Sequence, residues 1–176
     1  KDETIKQLYS QTSSKHATIA LFGKTQRGKT TLLLNLIGLT DEDYHAEVYS
    51  TLRGNRERGE SATSVATIYK ASVDRDKYQV KDVLTDNTIL LTSTQMSEFI
   101  DKTRNEVESG SHKYLKAVEI GIPKRYFSDN NNGLDITVID LPGFGGKSDA
   151  EREKVDALSR HYAQFAYPII LVEKFQ

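Results

Sequence analysis

The 176-residue chain contains no cysteine. Disulfides and thiolate-ligated metal sites are therefore excluded, and the composition fits a reducing compartment. It also lacks a charge imbalance: 24 Lys and Arg stand against 25 Asp and Glu, for a formal net charge of −1. The charges are interspersed rather than blocked, so neither nucleic acid nor anionic lipid has an electrostatic footprint to meet. Long hydrophobic runs are missing too. The longest apolar stretch, around Leu32 to Leu36, falls far short of the roughly 18 residues of a membrane span. The first residues, Lys1 to Gln7, lack the apolar core of a signal peptide. Internal repeats and low-complexity tracts do not occur. At 176 residues the chain is long enough for one α/β domain with a core of its own and too short for two, and the absences make the cytoplasm its expected location.

What the chain does contain is Gly23-Lys24-Thr25-Gln26-Arg27-Gly28-Lys29-Thr30, a match to the phosphate-binding pattern G-x-x-x-x-G-K-[ST]. Strand-like Ala17 to Phe22 precedes it, and helix-like Thr31 to Ile37 follows, closed by Gly38. Strand, glycine loop and helix are the context in which the pattern works. Backbone N–H groups curl around a β-phosphate, and the helix N-terminus adds partial positive charge. The expected phosphate-binding set is Gly23, Lys24, Thr25, Gln26, Arg27, Gly28, Lys29, Thr30 and Thr31. Lys29 is expected to reach the β- and γ-phosphates, and the Thr30 hydroxyl to ligate Mg²⁺. Glycine is expected at positions 23 and 28 because a Cβ would obstruct the turn or hold the backbone off the phosphate. The implied ligand is a nucleoside di- or triphosphate.

Along the chain, residues 1–15 read as a leading helix, with Ile5, Leu8 and Tyr9 on one face. Residues 39–62 read as a polar, glycine-punctuated region, mobile without ligand. Ala66–Ala71, Tyr78–Val80 and Asn87–Leu91 read as strands. A helix is expected from Ser93 to about Glu108, stopped by Gly110. Val118–Pro123 and Leu134–Ile139 read as strands joined through a hairpin turn at Asp129–Gly133. A further helix is expected over 150–165, with Val155, Leu158, Tyr162 and Phe165 at helical spacing, followed by a buried strand at 167–172. Alternating strands and helices predict a mostly parallel sheet with helices on both faces. The four histidines show no metal-ligand spacing and read as surface or packing residues.

Asp140-Leu141-Pro142-Gly143 closes the strand before it. An aspartate there can hold Mg²⁺ opposite the lysine, and the Gly143 N–H can face a γ-phosphate. A threonine from a mobile loop would complete such a site. Thr63 is the expected residue, since it lies in the glycine-flanked loop, with Thr67 as the fallback. Metal ligands are thus expected at Thr30, Thr63 and Asp140. Gly145 and Gly146 read as the hinge of a second mobile loop carrying Lys147 and Ser148.

Three motifs together resemble the dynamin superfamily of large GTPases, its bacterial branch above all: Gly23–Leu32, Gly59–Ser64 and Ile136–Phe144. Asp140 lies about twice as far from Gly23 as the matching motifs of small Ras-like GTPases, and the resemblance runs from about residue 16 to the end of the chain. It implies an enlarged P-loop GTPase domain over 16–176, with the extra strands and helix falling between Tyr69 and Pro123. The chain given would be truncated before the [TN]-K-x-D motif by which the family reads guanine. The resemblance further implies GTP as substrate with Mg²⁺, a larger parent protein and a homodimer formed through the nucleotide face. A membrane or assembly partner would be reached through parts outside these residues, placing the protein peripherally at a membrane.

Phe144 stands where Ras-like enzymes carry a water-orienting glutamine. On the resemblance, Thr25 and Gln26 are the candidates to position water or a monovalent cation. Arg27 reads either as an arginine finger in cis or as an exposed arginine near phosphates. The expected catalytic set is Lys29, Thr63, Thr25, Gln26 and Gly143. A P-loop ATPase, and a nucleotide-gated assembly or signalling switch with negligible turnover, remain the alternatives.

Overall fold

A computed structural model describes residues 16–23, 28–54, 66–82, 87–109, 117–127, 135–141 and 169–171. Its elements run β1 (His16–Phe22), α1 (Lys29–Leu36), α2 (Glu42–Arg53), β2 (Ala66–Ala71), β3 (Tyr78–Asp82), β4 (Thr88–Leu91) and α3 (Ser93–Glu108). They continue with β5 (Ala117–Ile122), a 3-10 turn at Lys124–Tyr126, β6 (Asp135–Asp140) and β7 (Ile169–Leu171). The expected leading helix and the helix over 150–165 lie outside the described residues.

The seven strands form one sheet in the order β4-β3-β5-β2-β6-β1-β7. The sheet is mixed, which corrects the expectation of a mostly parallel one. β1 pairs parallel with β6 and β7, and β2 with β5. By contrast, β2–β6, β3–β4 and β3–β5 are antiparallel. Connection length accounts for the two antiparallel pairs of β3: the links between β2 and β3 and between β3 and β4 are too short for the crossover that a parallel return requires. The proposed hairpin between β5 and β6 is also overturned, because β2 lies between them in the sheet. The turn residues 129–133 themselves lie outside the described residues.

Alternation along the strands divides the core in two. On one face Ile19, Leu21, Tyr69, Tyr78, Val80, Ile120, Ile122 and Val138 meet Leu33 and Leu34 of α1, Val48 and Leu52 of α2, and Met96 of α3. The described helices therefore cover the same face. On the other, Ala20, Ala66, Ile139 and Leu141 form a smaller cluster with Phe22 and Ile68.

Helix α2 corrects the reading of residues 39–62 as a polar mobile region over Glu42–Arg53, while residues 55–62 lie outside the described residues. Asp41 caps it, its Oδ1 accepting from the backbone N–H of Asp43 at 3.1 Å and of Tyr44 at 3.0 Å. Glu42 and Asp43 then sit in the first turn and Arg53 in the last, as the helix dipole favours. The buried stripe is narrow, made of Val48, Thr51 and Leu52, while Glu42, Asp43 and Glu47 are exposed. At its other flank Glu47 ties α2 to the 3-10 turn. Its Oε1 accepts from Tyr126 Oη at 2.5 Å and from Arg125 Nη2 at 3.2 Å. Among the described residues no helix is long and apolar enough to cross a membrane.

Candidate functional site

Strand direction gathers the expected site at one end of the sheet. β1 and β6 are parallel and end side by side, with Leu21 in register with Asp140 and the Leu141 N–H donating to Leu21 O at 3.2 Å. β2 runs the other way, so its beginning reaches the same end and Thr67 faces Asp140. The carboxyl ends of parallel strands at the middle of an open sheet are where α/β folds place ligands.

β1 leads directly into Gly23, with φ 144°, and α1 starts from Gly28, with φ 83°. Both are conformations that side-chain-bearing residues rarely adopt. At Gly28 nothing lies within 4 Å of where a Cβ would stand. The glycine is thus required by backbone conformation rather than by crowding within the chain, and the space outside it is open to a ligand. Helix α1 has no side-chain cap and no acidic residue in its first turn, whereas α2 has both. Its first amides and their partial positive charge are not spent on a carboxylate.

Lys29 sits in the first turn of α1 and is only 7% exposed. Its Nζ donates to Gly23 O at 3.0 Å, spanning the loop from end to start. Burial holds its pKa below the ordinary 10.5, and the nearby Asp140 charge pushes back in part. The ammonium is therefore carried at a cost that a polyanion could relieve. Asp140 is 1% exposed, so both charges are largely withheld from water at this end of the sheet. Thr30 is half-buried beside Lys29 and Thr31 is exposed.

A divalent cation is tested by its donors. Thr30 offers a hydroxyl and Asp140 a carboxylate, both hard oxygens suited to Mg²⁺. Among the described residues no three His, Asp or Glu converge. One carboxylate and one hydroxyl, completed by substrate phosphates and water, is a set that Mg²⁺ uses with nucleotides. The residues present fit that ion.

Of the expected site, the structure brings together Gly23, Gly28, Lys29, Thr30 and Asp140, with Thr67 across the sheet from Asp140. Lys24, Thr25, Gln26, Arg27, Thr63 and Gly143 lie outside the described residues. Sequence reasoning did not single out two buried groups on the same face as Asp140, Tyr69 of β2 and Arg104 of α3. The alternation Thr67-x-Tyr69 was the available signal for the first. The i, i+3 pairing of Asp101 with Arg104 was the signal for the second. Compared with known proteins, the chain matches no family model, and no curated protein is similar enough to count as a match.

Proposed function

We propose that this chain is the phosphate-binding part of a P-loop GTPase, which binds GTP with Mg²⁺ and hydrolyses it to GDP and phosphate. The observation that carries this reading is Lys29, buried at the N-terminus of α1. Its Nζ rests on Gly23 O at 3.0 Å and its charge faces Asp140. On binding, Lys29 exchanges the Gly23 carbonyl for β- and γ-phosphate oxygens, and the amides at the start of α1 line the β-phosphate. Thr30 and Asp140 hold Mg²⁺, which when bound offsets negative charge on the phosphates. Catalysis by these groups is positioning and electrostatic stabilisation rather than covalent chemistry.

The choice of guanine, and the roles of Thr25, Gln26, Thr63 and Gly143 in positioning water or a monovalent cation, rest on the resemblance to dynamin-like GTPases. So do a homodimer through the nucleotide face and action at a membrane. The test is calorimetry of non-hydrolysable GTP and ATP analogues with Mg²⁺ on the full-length protein and on Lys29→Ala. We expect the GTP analogue to bind and the substitution to weaken it about 10- to 100-fold, the worth of losing charge-assisted hydrogen bonds to phosphate. Preference for the ATP analogue would refute the guanine assignment, and equal binding by Lys29→Ala would refute the site.

A further inference from the structure

On the helix-covered face of the sheet, strand register lines up polar groups behind Asp140. β2 sets Thr67 opposite Asp140 and Tyr69 opposite Val138. Residues two apart on a strand share a face, as do cross-strand partners, so Thr67, Tyr69 and Asp140 all project into the same layer. Thr67 is 5% exposed and Tyr69 6%. Thr67 is the hydrogen-bonding neighbour of the Tyr69 hydroxyl, and the charges of both Asp140 and Arg104 act on that hydroxyl.

Arg104 is 2% exposed. Its Nη1 donates to Asp101 Oδ1 at 3.0 Å and its Nη2 to Arg53 O at 3.2 Å. Ser97 Oγ donates to Thr51 O at 3.2 Å, so α3 grips the last turn of α2 at two carbonyls. The polar row thus runs from the α2–α3 junction to the carboxylate of the phosphate site. Apolar packing does not ask for it. A phenylalanine would fill the Tyr69 site without the cost of drying a hydroxyl.

On the nucleotide-binding reading above, on which this depends, we propose that Tyr69 is a positioning residue for the divalent-cation site. Its hydroxyl, through Thr67, fixes the orientation of the Asp140 carboxylate, and Arg104 anchors Tyr69 from the α2–α3 junction. Groups that orient a metal ligand from behind typically change metal affinity 10- to 100-fold when removed.

The test titrates Mg²⁺ into the full-length protein and follows binding of a fluorescent GDP analogue, with a parallel measurement in EDTA. Wild type, Tyr69→Phe, Thr67→Val and the double variant are compared. Tyr69→Phe is expected to raise the Mg²⁺ midpoint about tenfold while leaving the affinity in EDTA unchanged. Thr67→Val shifts the midpoint in the same direction. The double variant shifts it no further than the larger single effect, because the two hydroxyls act as one unit. An unchanged Mg²⁺ midpoint in Tyr69→Phe overturns the proposal. So does an equal loss with and without Mg²⁺, the mark of a merely structural role. Wild type that binds no nucleotide in either condition overturns the nucleotide-binding reading itself, and this proposal with it.

Discussion

Gly54→Ala should destabilise this protein well beyond an ordinary glycine substitution at a helix end. Gly54 ends α2 with φ 67° and ψ −150°, a region that essentially only glycine enters. Forcing alanine into it costs about 1–3 kcal/mol. The added Cβ would also stand 2.3 Å from Asp101 Oδ1 on α3. That carboxylate cannot swing aside without loss, because it receives a hydrogen bond from the buried Arg104 guanidinium. A hydrogen bond to a charged group is worth about 1.5–3 kcal/mol, less here because water can reach part of the Asp101 side chain. The two contributions sum to about 2–5 kcal/mol, or a fall in Tm of about 5–15 °C for a chain of this size.

Chemical denaturation of four proteins separates the contributions: wild type, Gly54→Ala, Asp101→Ala and the double variant. With Asp101 already truncated the collision disappears, and Gly54→Ala should then cost only the backbone strain of about 1–3 kcal/mol. Equal costs in both backgrounds would show that Asp101 is not what the Cβ meets. A loss in wild type well under 1 kcal/mol would show that the strained backbone is not enforced.

Two further outcomes follow from burial. Burial pushes the Tyr69 and Tyr78 hydroxyls well above their ordinary 10.0, with the Asp140 charge adding to the effect at Tyr69. The unfolded chain releases these protons near pH 10 and the fold retains them. Their stabilisation is therefore complete below pH 10 and is lost as pH rises through the folded values. Denaturation at a series of alkaline pH values should show Tyr69→Phe reducing the downward slope by about 1.4 kcal/mol per pH unit; an unaltered slope would contradict it. The two arginine–carboxylate contacts should differ sharply. Glu47→Ala removes a partner of the exposed Arg125 and should cost under about 1 kcal/mol, although Tyr126 also bonds to Glu47. Arg104→Ala removes a buried guanidinium with its hydrogen bonds to Asp101 and the Arg53 carbonyl, and should cost about 2–4 kcal/mol by the same denaturation assay.

The end of the sheet that holds Lys29 was legible because its information is contiguous. Eight residues in a row specify the loop, and the alternation before Asp140 marks the end of a strand. Helix α2 was hidden because Glu42, Asp43 and Arg53, together with the glycines beyond, have the composition of a loop. Its two sequence signals, the Asp41 cap and the Val48–Leu52 spacing, are weak beside that charge density. The order of the strands was harder still. Asn130 to Gly133 are turn formers, but turn chemistry says nothing of which strands pair when β2 inserts between β5 and β6.

Tyr69 and Arg104 show a different barrier. In sequence, a tyrosine on the inner face of a strand reads as packing, and one arginine in a charged helix reads as solvated surface. What separates them from those readings is non-local. Tyr69 is placed by the pairing of β2 with β6, and Arg104 is buried because α2 ends against α3 and offers it the Arg53 carbonyl. A buried guanidinium must find acceptors, and the end of a helix supplies unsatisfied carbonyls and partial negative charge together. Removing Arg104 would take away the donor to the Arg53 carbonyl, while Ser97 would still hold that of Thr51. The burial of Arg104 thus follows from the packing of α2 against α3, so the residues behind Asp140 could be recognised only once that packing was known.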